Sequence, residues 1–212
     1  MDFILNLNTQ FCNPFTDPPV ANAVSILSRD MHKVLSCING LHNSITLVKD
    51  ELLEPEAYLI TVKDENQMII AASDSLGFVY GLLFISSQFL QIKPFWFWLD
   101  QDIPNLNSAA VPVGSYASPT PAVRYRGWFL NDEVLLIHWN NGMDSSFPWK
   151  MAFEALLRCG GNMVIPGTDK TSRLNADLAS EYGLWLTHHH AEPLGAEIFA
   201  RAYPDLLPSY SN

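Results

Sequence analysis

Three short polar segments hold most of the side chains in this sequence that could do chemistry. Asn131-Asp132-Glu133 ends the apolar run that begins at Tyr125, Gly167-Thr168-Asp169-Lys170-Thr171 follows Asn162 to Pro166, and His188-His189-His190-Ala191-Glu192 closes the run from Leu184. Carboxylates, an amide and imidazoles at such places are groups for acid–base work and for hydrogen bonding to a polar ligand. The same residues have plainer readings. N-D-E is equally a polar turn and helix cap, and Glu192 before Pro193 could simply favour a helix N-terminus. In an extended strand His188 and His190 would point to one side, with Glu192 as a third ligand, which is a metal-binding arrangement. The spacing H-x-H-x-E matches no strong zinc pattern, however, and no metal site is predicted. Gly167 to Thr171 faintly echoes a phosphate loop. That loop needs its lysine directly after the last glycine, and here Thr168 and Asp169 intervene. Lys170 and Arg173 remain as cations able to meet an acidic group.

The elements around these segments alternate. Tyr125 to Leu130 reads as an apolar strand, Pro148 to Arg158 as a helix stopped by Gly160-Gly161, and Asn162 to Pro166 as a second strand. Leu174 to Tyr182 is a second helix closed by Gly183, Leu184 to His188 a third strand, and Pro193 to Ala202 a third helix. Three consecutive βα units predict a parallel sheet, either doubly wound or a barrel, with the polar segments at the carboxyl ends of its strands. No G-x-G-x-x-G follows any strand, which counts against a nucleotide-binding doubly wound domain.

The first part of the chain has a different rhythm. Residues 3–7 read as a short strand, and Asp17-Pro18-Pro19 as the start of a helix with apolar positions at spacings of three and four up to Leu35, ended by Asn39-Gly40. Ser44 to Val48 reads as a strand. Alternation from Tyr58 to Val62, a turn at Asp64-Glu65-Asn66 and a return through Met68 to Ala71 predict a β-hairpin. Asp74 or Ser73 then caps a helix running to Leu90. These elements predict a two-layer α+β domain over residues 1–92. Residues 93–123 form a connecting segment rich in proline, with the aromatic run Phe95-Trp96-Phe97-Trp98 expected to pack against a domain. Residues 124–212 carry the βα units.

Composition bounds the rest. The chain has 212 residues, 48% of them hydrophobic and 16% charged, with a formal net charge of −10. Such a balance is globular and excludes nucleic acid and anionic membranes as expected partners, because both require a basic surface. No apolar run reaches the roughly 18 residues of a membrane span. The opening residues lack the basic and apolar stretches of a leader. Three widely spaced cysteines suit a reducing compartment, so a cytoplasmic setting is expected.

Two sets of residues carry a family resemblance. Ile69 to Ala72 followed by Gly77-Phe78-Val79-Tyr80-Gly81 looks like the hairpin and G-x-x-Y-G helix of the small domain that precedes the barrel in β-hexosaminidases and α-glucuronidases. Tyr125-Arg126-Gly127-Trp128-Phe129-Leu130-Asn131-Asp132-Glu133 resembles the Y-R-G-x-F-x-N-D-E segment of glycoside hydrolase family 115. Phe153 to Arg158 and Asn162 are similar to that family's first helix and second strand, and Thr187 to Leu194 to its motif after the third strand. The resemblance implies an α/β fold, a hexosaminidase-like α+β domain followed by the first three βα units of a (β/α)8 barrel. It implies an exo-acting, inverting α-glucuronidase of plant cell-wall glycans, needing no cofactor, within a longer protein. The 88 residues from 125 to 212 fall short of the about 250 that eight units need. Inverting hydrolysis uses one carboxylic acid on the leaving oxygen and one carboxylate on water. Glu192 and Asp132 are the implied catalytic carboxylates. Asn131, Glu133, His190, Lys170 and Arg173 are the implied substrate-binding residues, with an oligo- or polysaccharide as partner. A non-catalytic carbohydrate-binding or interaction module is the alternative. The open edge of three parallel strands also invites a homo-oligomer.

Overall fold

A computed structural model describes residues 1–36, 42–131, 135–136, 139, 142, 144–190, 192 and 205. The chain is mixed α/β and divides into two units, the first comprising Met1–Arg124 with Leu157–Gly160, the second Tyr125–Leu156 with Gly161–Asn212.

In the first unit β1 (Phe3–Leu5) pairs antiparallel with β6 (Ala109–Val111). A five-stranded sheet has the order β2-β3-β5-β4-β7, built from β2 (Gln10–Cys12), β3 (Ser44–Lys49), β4 (Tyr58–Val62), β5 (Gln67–Ala72) and β7 (Gly114–Ala117). The hairpin β4–β5 pairs Ile60 with Ile70. Its alternation puts Tyr58, Ile60, Val62, Met68, Ile70 and Ala72 inside. Its turn is held by Asp64, whose Oδ1 accepts from the N–H groups of Asn66 and Gln67 at 2.8 and 3.1 Å.

Two helices, α1 (Pro18–Val34) and α2 (Ser75–Phe89), complete this unit and pack on each other. α2 is apolar on every side, as a helix buried between layers must be. It lies close to the sheet because Gly77 and Gly81 carry no Cβ: one at Gly77 would sit 2.8 Å from Ala72 Cβ, and one at Gly81 2.9 Å from Ile70 Cγ2. The G-x-x-Y-G pattern is thus a packing device. Asp74 caps α2, its Oδ1 accepting from Gly77 N–H at 2.8 Å and its Oδ2 from Glu56 N–H at 2.9 Å.

A buried polar cluster lies within the same unit. Asp30, on α1, is fully buried. Its carboxylate accepts from Ser86 Oγ at 2.6 Å, from Arg29 Nη2 at 2.7 Å and from the Arg158 guanidinium. Arg158 also donates to Ser86 Oγ at 3.0 Å.

Several expectations need correction here. α1 ends at Leu35, where the chain turns extended and bridges Leu106, before the Asn39-Gly40 stop that lies outside the described residues. Residues 93–121 supply two strands, β6 and β7, that have no run of alternating apolar residues. The aromatic run does pack, with Arg29 and Lys33 of α1 set 4.9 and 5.2 Å from the Trp96 ring centre.

The second unit holds β8 (Gly127–Phe129), α3 (Phe147–Arg158, whose last two residues count with the first unit), β9 (Met163–Ile165), α4 (Asp169–Glu181) and β10 (Trp185–Leu186). The strands form a parallel sheet in the order β10-β9-β8, Gly127 facing Met163 and Trp185 facing Met163 from the other side. Asn162, fully buried, ties their amino ends together. Its Oδ1 accepts from Arg126 N–H at 2.8 Å, its own N–H donates to Arg126 O at 2.8 Å, and its carbonyl accepts from Trp185 N–H at 2.7 Å. In the core Phe153 meets Tyr182 edge to face at 6.0 Å and Trp149 at a tilt at 6.4 Å between ring centres. The strands are shorter than the sequence suggests, and the expected third helix, 193–202, lies outside the described residues.

Candidate active site at the carboxyl ends of the parallel strands

Because β8, β9 and β10 run the same way as neighbours, the segments after them leave from one edge of the sheet. Leu130 N–H donates to Ile165 O at 3.0 Å and Thr187 N–H to Val164 O at 3.1 Å, carrying the pairing to that edge. Asn131 follows β8 and is exposed. Asp132 and Glu133 lie outside the described residues. Lys170 and Arg173 are exposed on the first turn of α4, three residues apart and so on one face.

Glu192 is buried, 4% exposed, and one carboxylate oxygen accepts from the N–H of Asp169. Its own N–H donates to His189 O at 2.9 Å, which closes a tight turn after β10. Thr168, the residue placed to cap α4, makes no side-chain cap bond. An oxygen from the loop after β10 therefore reaches the start of the helix after β9. A negative group is favoured there by the helix dipole. The capping alternative for Glu192 thus has a physical basis on α4, the helix before it in sequence.

The histidines are arranged differently from the expectation. β10 ends at Leu186, so strand alternation does not govern them. His188 and His190 are exposed and His189 is half-buried. The His189 ring lies 5.0 Å from that of Phe129 and 4.0 Å from that of His190. Among the described residues no three His, Cys, Asp or Glu side chains are grouped to hold a metal ion. The groups described after these three strands are a buried carboxylate, imidazoles, an amide and two exposed cations.

The sequence reading missed Asp169. It is buried, 8% exposed, and takes the left-handed conformation at φ 49°. Its one signal was position: Gly167-Thr168-Asp169 follows a strand and opens a helix. That helix starts at Asp169 and not near Leu174, because its buried face is Asp169, Ser172, Asn175 and Ala179, largely polar, while Leu174 is exposed.

Comparison with known proteins agrees with this layout. The family model of Glycosyl hydrolase family 115 matches residues 118–205. A solved family 115 4-O-methyl-α-glucuronidase, specific for decorated arabinogalactans, is 24% identical with a TM-score of 0.74, covering 89% of this chain and 30% of that one. The chitobiase of Flavobacterium johnsoniae is 17% identical with a TM-score of 0.56, covering 97% of this chain and 35% of that one. A mutant Streptomyces plicatus β-hexosaminidase is 12% identical with a TM-score of 0.59, over 88% of this chain and 42% of that one. These likenesses are of fold, and in each case this chain spans less than half the length of the solved protein. No curated protein matches the chain in sequence. Over residues 118–205 the chain matches glycosyl hydrolase family 115, the family that its Tyr125–Glu133 and Thr187–Leu194 segments resemble.

Proposed function

We propose that residues 125–212 are the opening βα units of a (β/α)8 barrel in a longer glycoside hydrolase, an exo-acting, inverting α-glucuronidase-like enzyme. Its substrates are plant cell-wall glycans, from which it releases glucuronic acid or its 4-O-methyl ether. One observation carries this reading: a buried carboxylate, Glu192, stands at the carboxyl edge of a parallel βαβαβ sheet whose sequence matches family 115. In barrels of this kind that edge is where catalysis takes place.

In the proposed reaction Glu192 and Asp132 are the catalytic carboxylates. One protonates the glycosidic oxygen as the bond to the anomeric carbon breaks. The other takes a proton from the water that attacks the opposite face of the sugar. Such pairs stand about 6.5–9.5 Å apart, leaving room for the water. Asn131, Glu133 and His190 hydrogen-bond the sugar hydroxyls, and Lys170 or Arg173 meets the uronate carboxylate, the feature that distinguishes a uronic acid from a neutral hexose. The reaction requires no organic cofactor and no metal. The small α+β domain supports the barrel without joining the chemistry, and the enzyme works in the cytoplasm. This chain by itself has little or no turnover.

Incubating the full-length protein with glucuronoxylan and with decorated arabinogalactan, and following free uronic acid and its anomeric configuration by NMR, tests the proposal. Release of β-configured uronic acid from an α-linked substrate is expected. Release of neutral sugar only, or of the retained anomer, would overturn it.

A further inference from the structure

We propose that Asp169 is a positioning residue of this site, orienting Glu192 through its main chain. The inference rests on the reading of Glu192 as a catalytic carboxylate and goes one step beyond it. Asp169 holds a backbone conformation, φ 49°, that side chains other than those of Asn, Asp and Gly adopt at a cost. It does so buried, at the first residue of α4. Aspartate is among the few non-glycine residues enriched in this region, so the residue type suits the backbone found there. Here the conformation directs the Asp169 N–H at a Glu192 oxygen.

Two consequences follow from the chemistry. The N–H disfavours a proton on the oxygen that accepts it, so exchange with substrate or water is directed to the other oxygen. The main chain that bears this carboxyl group is held as well, Glu192 N–H donating to His189 O at 2.9 Å. Thr168, the N-cap residue, makes no side-chain cap hydrogen bond. Gly167, at φ 94°, brings the chain into this turn, with Thr171 Cγ2 2.8 Å from where its Cβ would lie. The loop after β9 therefore acts as a mould for a side chain borne by the loop after β10.

The role belongs to the backbone of Asp169, which sets the test. Asp169→Val forces a β-branched residue into the left-handed region and should turn the N–H away. Asp169→Gly and Asp169→Asn keep that region accessible. In the full-length enzyme Asp169→Val should lower kcat by about 10²-fold, the cost of a misplacement near 1 Å, with KM little changed and one limb of the pH–rate profile displaced. Glycine or asparagine should recover most of that loss. A fall in folded fraction with unchanged kcat per folded molecule would overturn the role. A second readout needs no activity. In ¹⁵N–¹H spectra of this chain at neutral pH the Asp169 amide proton, bonded to a carboxylate, should lie well downfield, and Glu192→Gln should move it upfield. An Asp169 amide indifferent to Glu192→Gln would refute the contact, whereas a coupled amide in an enzyme where Glu192→Gln leaves turnover intact would sink the catalytic assignment alone.

Discussion

The two units place their buried polar groups differently. In the first, Asp30, Ser86 and Arg158 form a closed cluster in which each group finds its partners inside the fold. Asn43 likewise bonds Thr9 Oγ1 and Ile4 O, and apolar side chains of α1, α2, β1, β3 and the hairpin make up most of the rest of its core. In the second, Glu154 is buried on α3 and Asn162 at the amino ends of the short strands, while Asp169, Ser172, Asn175 and Glu192 are buried along the helix and loop that follow the sheet's carboxyl edge. Satisfied inward, buried polar groups specify packing. Gathered at the carboxyl end of a parallel sheet, they lie where barrel enzymes carry their sites.

Breaking the first unit's cluster should have the largest effect on stability. Asp30→Ala leaves the Arg158 guanidinium, 1% exposed, without its carboxylate. Removing one partner of a buried pair costs about 3–5 kcal/mol. Chemical denaturation should show that loss, and Asp30→Ala/Arg158→Met should recover much of it, because a well-packed apolar replacement spares both charges their desolvation.

A smaller effect depends on pH. Burial pushes the Tyr58 hydroxyl from 10.0 up to about 12. Below pH 10 the phenol is neutral in both folded and unfolded chains, and its contribution is complete. Between pH 10 and about 12 the unfolded chain releases the proton first, so stability falls across the window. Comparing denaturation midpoints at pH 9 and pH 11.5 for the native chain and Tyr58→Phe should show a steeper loss in the native chain. Equal slopes would mean the hydroxyl is solvated.

Smaller still is the cap on α2. Asp74→Ala removes acceptors for Gly77 and Glu56 N–H and should cost about 1 kcal/mol in the same measurement. A loss near zero would show that the hairpin holds the helix start without the cap.

The sequence was most legible where one element explains itself. The hairpin alternates cleanly from Tyr58 to Ala72, and the two glycines of α2 fall on the face that meets Ala72 and Ile70. The βα order of the second unit was readable from its apolar runs and glycine stops. Strands β2, β6 and β7 were not, because Gln-Phe-Cys, Ala-Ala-Val and Gly-Ser-Tyr-Ala form strands only through partners distant in the chain. α4 was placed late for a related reason: its buried face is polar, so apolar periodicity begins after the helix does. The bond between Asp169 and Glu192 spans 23 residues, and no local pattern announces it.

The central claim is that Glu192 is buried for chemistry and not for stability, and one variant separates the two. In the full-length protein Glu192→Gln keeps an oxygen for the Asp169 N–H but can neither give nor take a proton. The melting temperature should stay near that of the native enzyme, while release of uronic acid falls by about 10²–10⁴-fold. Turnover close to native in a protein that melts far earlier would contradict the account and leave Glu192 as a helix clamp.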